Sequence, residues 1–114
     1  EASYFRSCKI LPIMHVLAYK RELVQEHPDL PQALYDIFER ARRQAMQRWI
    51  DPNWSMVIWG RQELERQNQL CDFDPWRNGL EANRKNLERF SFCSHEQGLT
   101  QRLLAAAELF IPIN

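Results

Sequence analysis

Residues 10–19 are apolar at every position except Pro12 and His15. The run is short and contains β-branched and aromatic members, so it predicts a strand buried on both faces, as inside an α/β sheet. A buried helical segment is the competing reading, and Pro12 counts against a helix that starts earlier. Residues 21–26 can form one helical turn ahead of His27-Pro28. The period then changes. Leu30, Leu34, Ile37, Phe38, Ala41, Ala45 and Trp49 recur at helical spacing, and Glu39, Arg40, Arg42, Arg43 and Gln47 fall on the opposite side. With Asp29 as N-cap, Pro31 in the first turn and Gln32 three residues on, the start is capping-box-like. A helix over about 30–49 is predicted, ended by Asp51-Pro52.

A second helix is expected from the Asp51 cap and Pro52 to about residue 67, with Trp54, Val57, Ile58 and Leu64 inward. Asp74-Pro75 and Asn78-Gly79 mark residues 71–79 as a loop. A third helix is expected over about 80–95, with Leu80, Leu87 and Phe90 inward and Gly98 as its stop. A short last helix covers about 103–110. The chain thus reads as helix-dominated with one principal strand. A lone strand leaves its backbone unpaired and two apolar faces bare. Partner strands are therefore expected outside these 114 residues, or a second copy supplies them, which leaves a homo-oligomer open.

Composition changes this picture mainly by exclusion. Hydrophobic residues are 45% and charged residues 26%, ordinary for one globular domain with a modest core. Fifteen basic side chains balance fifteen acidic ones, and no basic stripe interleaves with aromatics, so nucleic acid is not an expected partner. No apolar run approaches the roughly 20 residues that span a bilayer, so no membrane is expected either. The three cysteines, Cys8, Cys71 and Cys93, are widely spaced and odd in number. Free buried thiols are the better reading, which leans towards a cytoplasmic protein, and one disulfide plus a free Cys stays open.

Specific stretches carry more. They are Leu11-Pro12-Ile13-Met14-His15, Lys20-Arg21-Glu22, His27-Pro28, Trp76 to Arg84, His95-Glu96-Gln97-Gly98-Leu99 and Glu108-Leu109-Phe110. Together they resemble the C-terminal part of the 4,5-dihydroxyphthalate decarboxylase-like family over nearly the whole chain. The family usually has an aromatic residue at the position of Leu11. It commonly reads tryptophan-proline-tyrosine-glycine where this chain has Trp76-Arg77-Asn78-Gly79. A serine that would cap the last short helix is usual at Ala105. The resemblance implies an α/β fold of the two-lobed type II periplasmic-binding-like kind. Residues 1–114 would be a single partial domain, with a strand at about 10–20 and then three or four helices. The remaining lobes would lie upstream, and the piece alone would be inactive.

The activity implied is loss of CO2 from a hydroxylated aromatic dicarboxylate, of the type that converts 4,5-dihydroxyphthalate to protocatechuate. The ring carbon bearing the carboxylate is protonated, a para hydroxyl pushes electrons into the ring, and CO2 departs. Such a site needs a proton donor, a group for the phenol and a cation for the second carboxylate, but no redox cofactor. The partner implied is a small aromatic carboxylate. His15, a titratable group inside an apolar run, is the candidate acid/base; the competing reading is a core or hinge histidine bonded to backbone. Arg77 and Arg84 could grip a carboxylate, although Arg84 also sits at ion-pairing distance along a helix from Glu81 and Glu88. Trp76 could wall a ring-binding cleft or simply anchor packing, and Asn78 completes the substrate-binding set. Glu81 and Asn83 could bond a ligand at a helix N-terminus, and Glu81 also suits the helix dipole without one. His95-Glu96 opens like a zinc motif, but Leu99 stands where the second His would be, so no metal is expected. Two other classes stay in view: a solute-binding protein of an ABC-type transporter, which would be periplasmic, and a helical interaction module without a small ligand.

Overall fold

In the computed structural model, residues 2–51, 57–71 and 73–113 are described, and among them the chain is a succession of helices. They are α1 (Ala2–Cys8), α2 (Arg21–Glu26), α3 (Leu30–Ile50), α4 (Gly60–Leu70), α5 (Leu80–Glu96) and α6 (Ala106–Leu109). Helix takes up 62% of the described residues, which contain no strand, so the expected α/β architecture with a principal strand does not hold. Residues 9–20 lie outside any helix or strand. Their apolar side chains face outward: Met14 is 81% exposed, Val16 63% and Leu17 54%. The reason is physical. An apolar run has strand composition, but a strand needs a neighbour to receive its backbone groups, and no described segment supplies one. The run is instead pinned at its start to α5, where Lys85 Nζ donates to the Cys8 carbonyl at 2.7 Å and Leu11 N–H to Asn86 Oδ1 at 3.2 Å.

The long helix α3 lies where the period places it, but it turns a different face inward. Pro31 and Glu39 are its buried residues, with Tyr35, Arg42 and Met46 half-buried along the same stripe. The apolar stripe is the open one: Ile37 is 52% exposed and Phe38 50%. The expected capping box at Asp29 is also absent. Asp29 has helical backbone angles and makes no side-chain cap, and Gln32 donates instead to Asp36 at 3.1 Å. At the other end Asp51 leaves the helix with φ −70° and ψ 114°, as expected of a residue before proline. The predicted helix start at Pro52 and the inward Trp54 fall outside the described residues. Helix α4 begins at Gly60, so Val57 and Ile58 precede it and are exposed.

Helix α5 stops where Gly98 predicts. The Gly98 N–H donates to the His95 carbonyl and the Leu99 N–H to the Ser94 carbonyl, both at 2.9 Å, with Gly98 at φ +73°. These are the paired bonds of a Schellman motif. The core is small and lies between α5 and α6: Leu80, Leu87 and Ala106 are buried and Phe110 packs on them. Phe90, expected inward, is 68% exposed, and Ser91 and Ser94 are buried in its place. Helix α6 starts from Ala105, where half a capping box survives: Glu108 accepts the Ala105 N–H at 2.9 Å. A second contact joins the N-terminal arm to the 73–79 loop, with the Phe5 and Phe73 rings 5.9 Å apart.

The arrangement is open. The radius of gyration is 17.0 Å, against about 13 Å for a compact chain of this length. The accessible surface is 9667 Å², against about 6,600 Å² for a compact monomer of this mass. None of the described helices is long and apolar enough to cross a membrane.

Candidate functional site

The loop between α4 and α5 is the best-built polar feature of the molecule. Its turn is local. Asp74 Oδ1 accepts the Trp76 N–H at 2.9 Å, the Asx-type closure that Asp before Pro favours. Asn83, one turn into α5, donates its side-chain amide to the Arg77 and Gly79 carbonyls at 2.7 and 3.0 Å. Gly79 takes φ +100° and ψ 157°, a region almost confined to glycine. A Cβ there would also stand 3.4 Å from the Tyr35 ring.

The loop is then tied to α3. Glu39 Oε1 accepts both the backbone N–H and the side-chain amide of Asn78, at 3.3 and 2.8 Å. Arg42 grips the same carboxylate through Nε at 3.1 and 3.2 Å and Nη2 at 2.8 Å. Its remaining Nη1 pairs with Asp74 Oδ2. The Glu39 and Arg42 side chains are 11% and 20% exposed. The Arg42 bond, with Asn78 assisting and burial opposing, holds the Glu39 carboxyl at about 2, below its usual 4.5. Glu39, in turn, raises the Arg42 guanidinium further above its ordinary value.

Beside this tie lies a cleft of about 340 Å³ between α3, α4 and the loop. Met46, Phe73, Pro75 and Trp76 give it apolar walls. Gln67, Asn68, Cys71 and Asp74 give it polar groups. Apolar and polar residues thus line it in equal number, and its volume is at the small end of the range for small-molecule sites. A second cleft, about 480 Å³, is lined by Arg6, Arg66, Gln69, Ala2 and Leu70. It has no aromatic wall, and Arg66 stands open to solvent at 4.0 Å from Glu63.

Of the residues expected from sequence, Trp76, Arg77 and Asn78 share the loop. Trp76 is 56% exposed at the cleft edge. The Arg77 guanidinium is exposed and bonds no side chain among the described residues. Asn78 is engaged with Glu39, so its amide serves the loop. Arg84 takes the ordinary helical role: it pairs with Glu81 and lies 3.9 Å from Glu88. His15 is not sequestered in an apolar strand; it is exposed in the 9–20 segment and does not line the cleft beside the loop. His95 Nδ1 lies 3.2 Å from the Thr100 carbonyl. Among the described residues no group of three His, Cys, Asp or Glu side chains could hold a metal. Glu39 and Arg42 went unread as site residues. Their i, i+3 spacing reads as a solvated pair, and only the loop's complementary Asp74 and Asn78 mark them out.

No family model matches the chain. It is 34% identical over 113 residues to a 4,5-dihydroxyphthalate decarboxylase from Comamonas testosteroni, an alignment that takes in 97% of this chain. The chain spans 34% of that relative's length. The two proteins are related.

Proposed function

We propose that this chain contributes to a decarboxylase that acts on a hydroxylated aromatic dicarboxylate, with the 73–79 loop and its cleft as a ligand-contacting surface. The observation that carries the reading is the 34% identity to a 4,5-dihydroxyphthalate decarboxylase along nearly the whole chain. The geometry supports it. The cleft beside Trp76 and Phe73 suits one flat ring. The Arg77 guanidinium, next along the loop, has no carboxylate of its own among the described residues and can take one from a ligand in a two-pronged bond. Arg84 is already committed to Glu81, so Arg77 is the better cation of the two.

The chemistry follows from the substrate class. A proton is added to the ring carbon that bears the leaving carboxylate, and a para hydroxyl stabilises the positive charge. The carbon–carbon bond then breaks, its electrons restore the ring and CO2 leaves. His15, exposed on the 9–20 segment, is our candidate proton donor, a role that requires this segment to reach the bound ring in the complete protein. The test is direct: the complete protein is mixed with 4,5-dihydroxyphthalate, and CO2 and protocatechuate are measured. Release of both supports the reading. Tight binding without release would instead favour a solute-binding protein.

A further inference from the structure

We propose that Glu39 and Arg42 are positioning residues for this site, forming a clamp on α3 that sets where Trp76 and Arg77 stand. This rests on the reading of the 73–79 loop as ligand-contacting. A Glu and an Arg three apart on a helix ordinarily form a solvated pair that holds nothing else. Here both are turned into the structure, on the side of α3 that faces the loop. Burying an ion pair is costly unless its remaining bonding positions are filled. These positions are filled by the loop. Glu39 takes two N–H groups of Asn78, and Arg42 takes Asp74. The loop is thus fastened near both ends to one turn of α3. Between the fastenings, Trp76 and Arg77 keep exposed side chains. A backbone fixed at both ends with free tips is what orientation of a ligand requires.

The variants Glu39→Gln and Arg42→Lys separate the parts. Glu39→Gln keeps an acceptor for Asn78 but loses the charge that Arg42 grips. Arg42→Lys keeps the charge but lacks the fork that reaches Glu39 and Asp74 together, and it carries the test if Glu39→Gln fails to fold. Two quantities are read in the complete protein: hydrogen exchange at the backbone amides of residues 76–79, with those of α5 as internal reference, and affinity for phthalate, a dicarboxylate that lacks the para hydroxyl. We expect loop exchange to rise at least about tenfold, α5 to stay protected, and phthalate affinity to fall about tenfold. Unchanged loop exchange in both variants overturns the clamp. A loosened loop with undiminished phthalate affinity overturns the positioning role. A loosened loop in a protein whose wild type ignores phthalate keeps the clamp and removes the ligand reading on which the role depends.

Discussion

Glu39 and Asn78 meet twice: one carboxylate oxygen of Glu39 accepts the Asn78 backbone N–H at 3.3 Å and its side-chain amide at 2.8 Å. Thirty-nine positions separate them in sequence, and through them helix α3 governs the loop that leads into α5. The rest of the polar network follows from that contact, because Arg42 neutralises Glu39 and reaches Asp74 with the nitrogen left over.

This contact should make stability depend on acid. The Glu39 carboxyl is held at about 2 in the folded chain, below its usual 4.5. A carboxylate with a lowered folded value contributes stability that is full above the unfolded value and is lost as pH falls through the folded one. The contribution is at most about 3 kcal/mol, present above about pH 4.5 and gone near pH 2. Urea unfolding at pH 6 and pH 3 should show wild type losing more stability than Glu39→Gln between the two. Equal losses would mean that the buried carboxylate is not what acid attacks.

The two glycines with positive φ should respond differently to alanine. At Gly98, φ is +73° and a Cβ would meet nothing within 4 Å, so the cost is conformational alone, about 1 kcal/mol. Asparagine should recover part of it. Gly79 has φ +100° and ψ 157°, which asparagine tolerates poorly, and its Cβ would approach Tyr35. Gly79→Ala should therefore lower the melting temperature more than Gly98→Ala, and Gly79→Asn should bring no recovery. The reverse order in thermal unfolding would contradict the assigned backbone.

The contrast between what was readable and what was not is sharpest on α3. Helical spacing of Leu30, Leu34, Ile37 and Phe38 locates the helix, since period is a local property. Which face turns inward is not local. It depends on Asp74 and Asn78, more than thirty residues away, and they select the polar stripe of Glu39 and Arg42. Gly98 was legible as a stop because its αL requirement and its two bonds involve only neighbouring residues. Residues 10–19 misled for the same reason in reverse: apolar composition is local, but a strand exists only with a partner, and none is present among the described residues. The 73–79 loop could be read from Asp-Pro and Asn-Gly, whereas its fastening to α3 could not.

Exposed apolar surface should make the 114-residue chain associate when produced alone. Met14, Val16 and Leu17 are bare, as are Ile37 and Phe38 on α3. Exposed apolar area of this extent drives contact in water. Light scattering behind a sizing column should give a mass above 13.7 kDa that rises with concentration. A concentration-independent monomer would show that this surface is better tolerated than its burial implies.

Arg77 and Arg84 should differ as ligand groups. Losing a charge-assisted bond to a carboxylate costs about 1.5–3 kcal/mol, so Arg77→Ala should weaken phthalate binding about tenfold or more. Arg84→Ala should change it little, because Arg84 is paired with Glu81. Calorimetric titration of both variants decides this, and equal losses would take the distinction away from Arg77.

The most direct measurement is CO2 release from 4,5-dihydroxyphthalate by the complete protein, wild type beside His15→Gln, with thermal unfolding of both. Wild type should yield one CO2 and one protocatechuate per substrate consumed. His15→Gln should lower turnover about 10²–10⁴-fold, as loss of general acid catalysis does. Its melting temperature should stay that of wild type, since His15 is exposed. A wild-type protein that binds the dicarboxylate and returns it intact, with no CO2 released, would contradict the decarboxylase account.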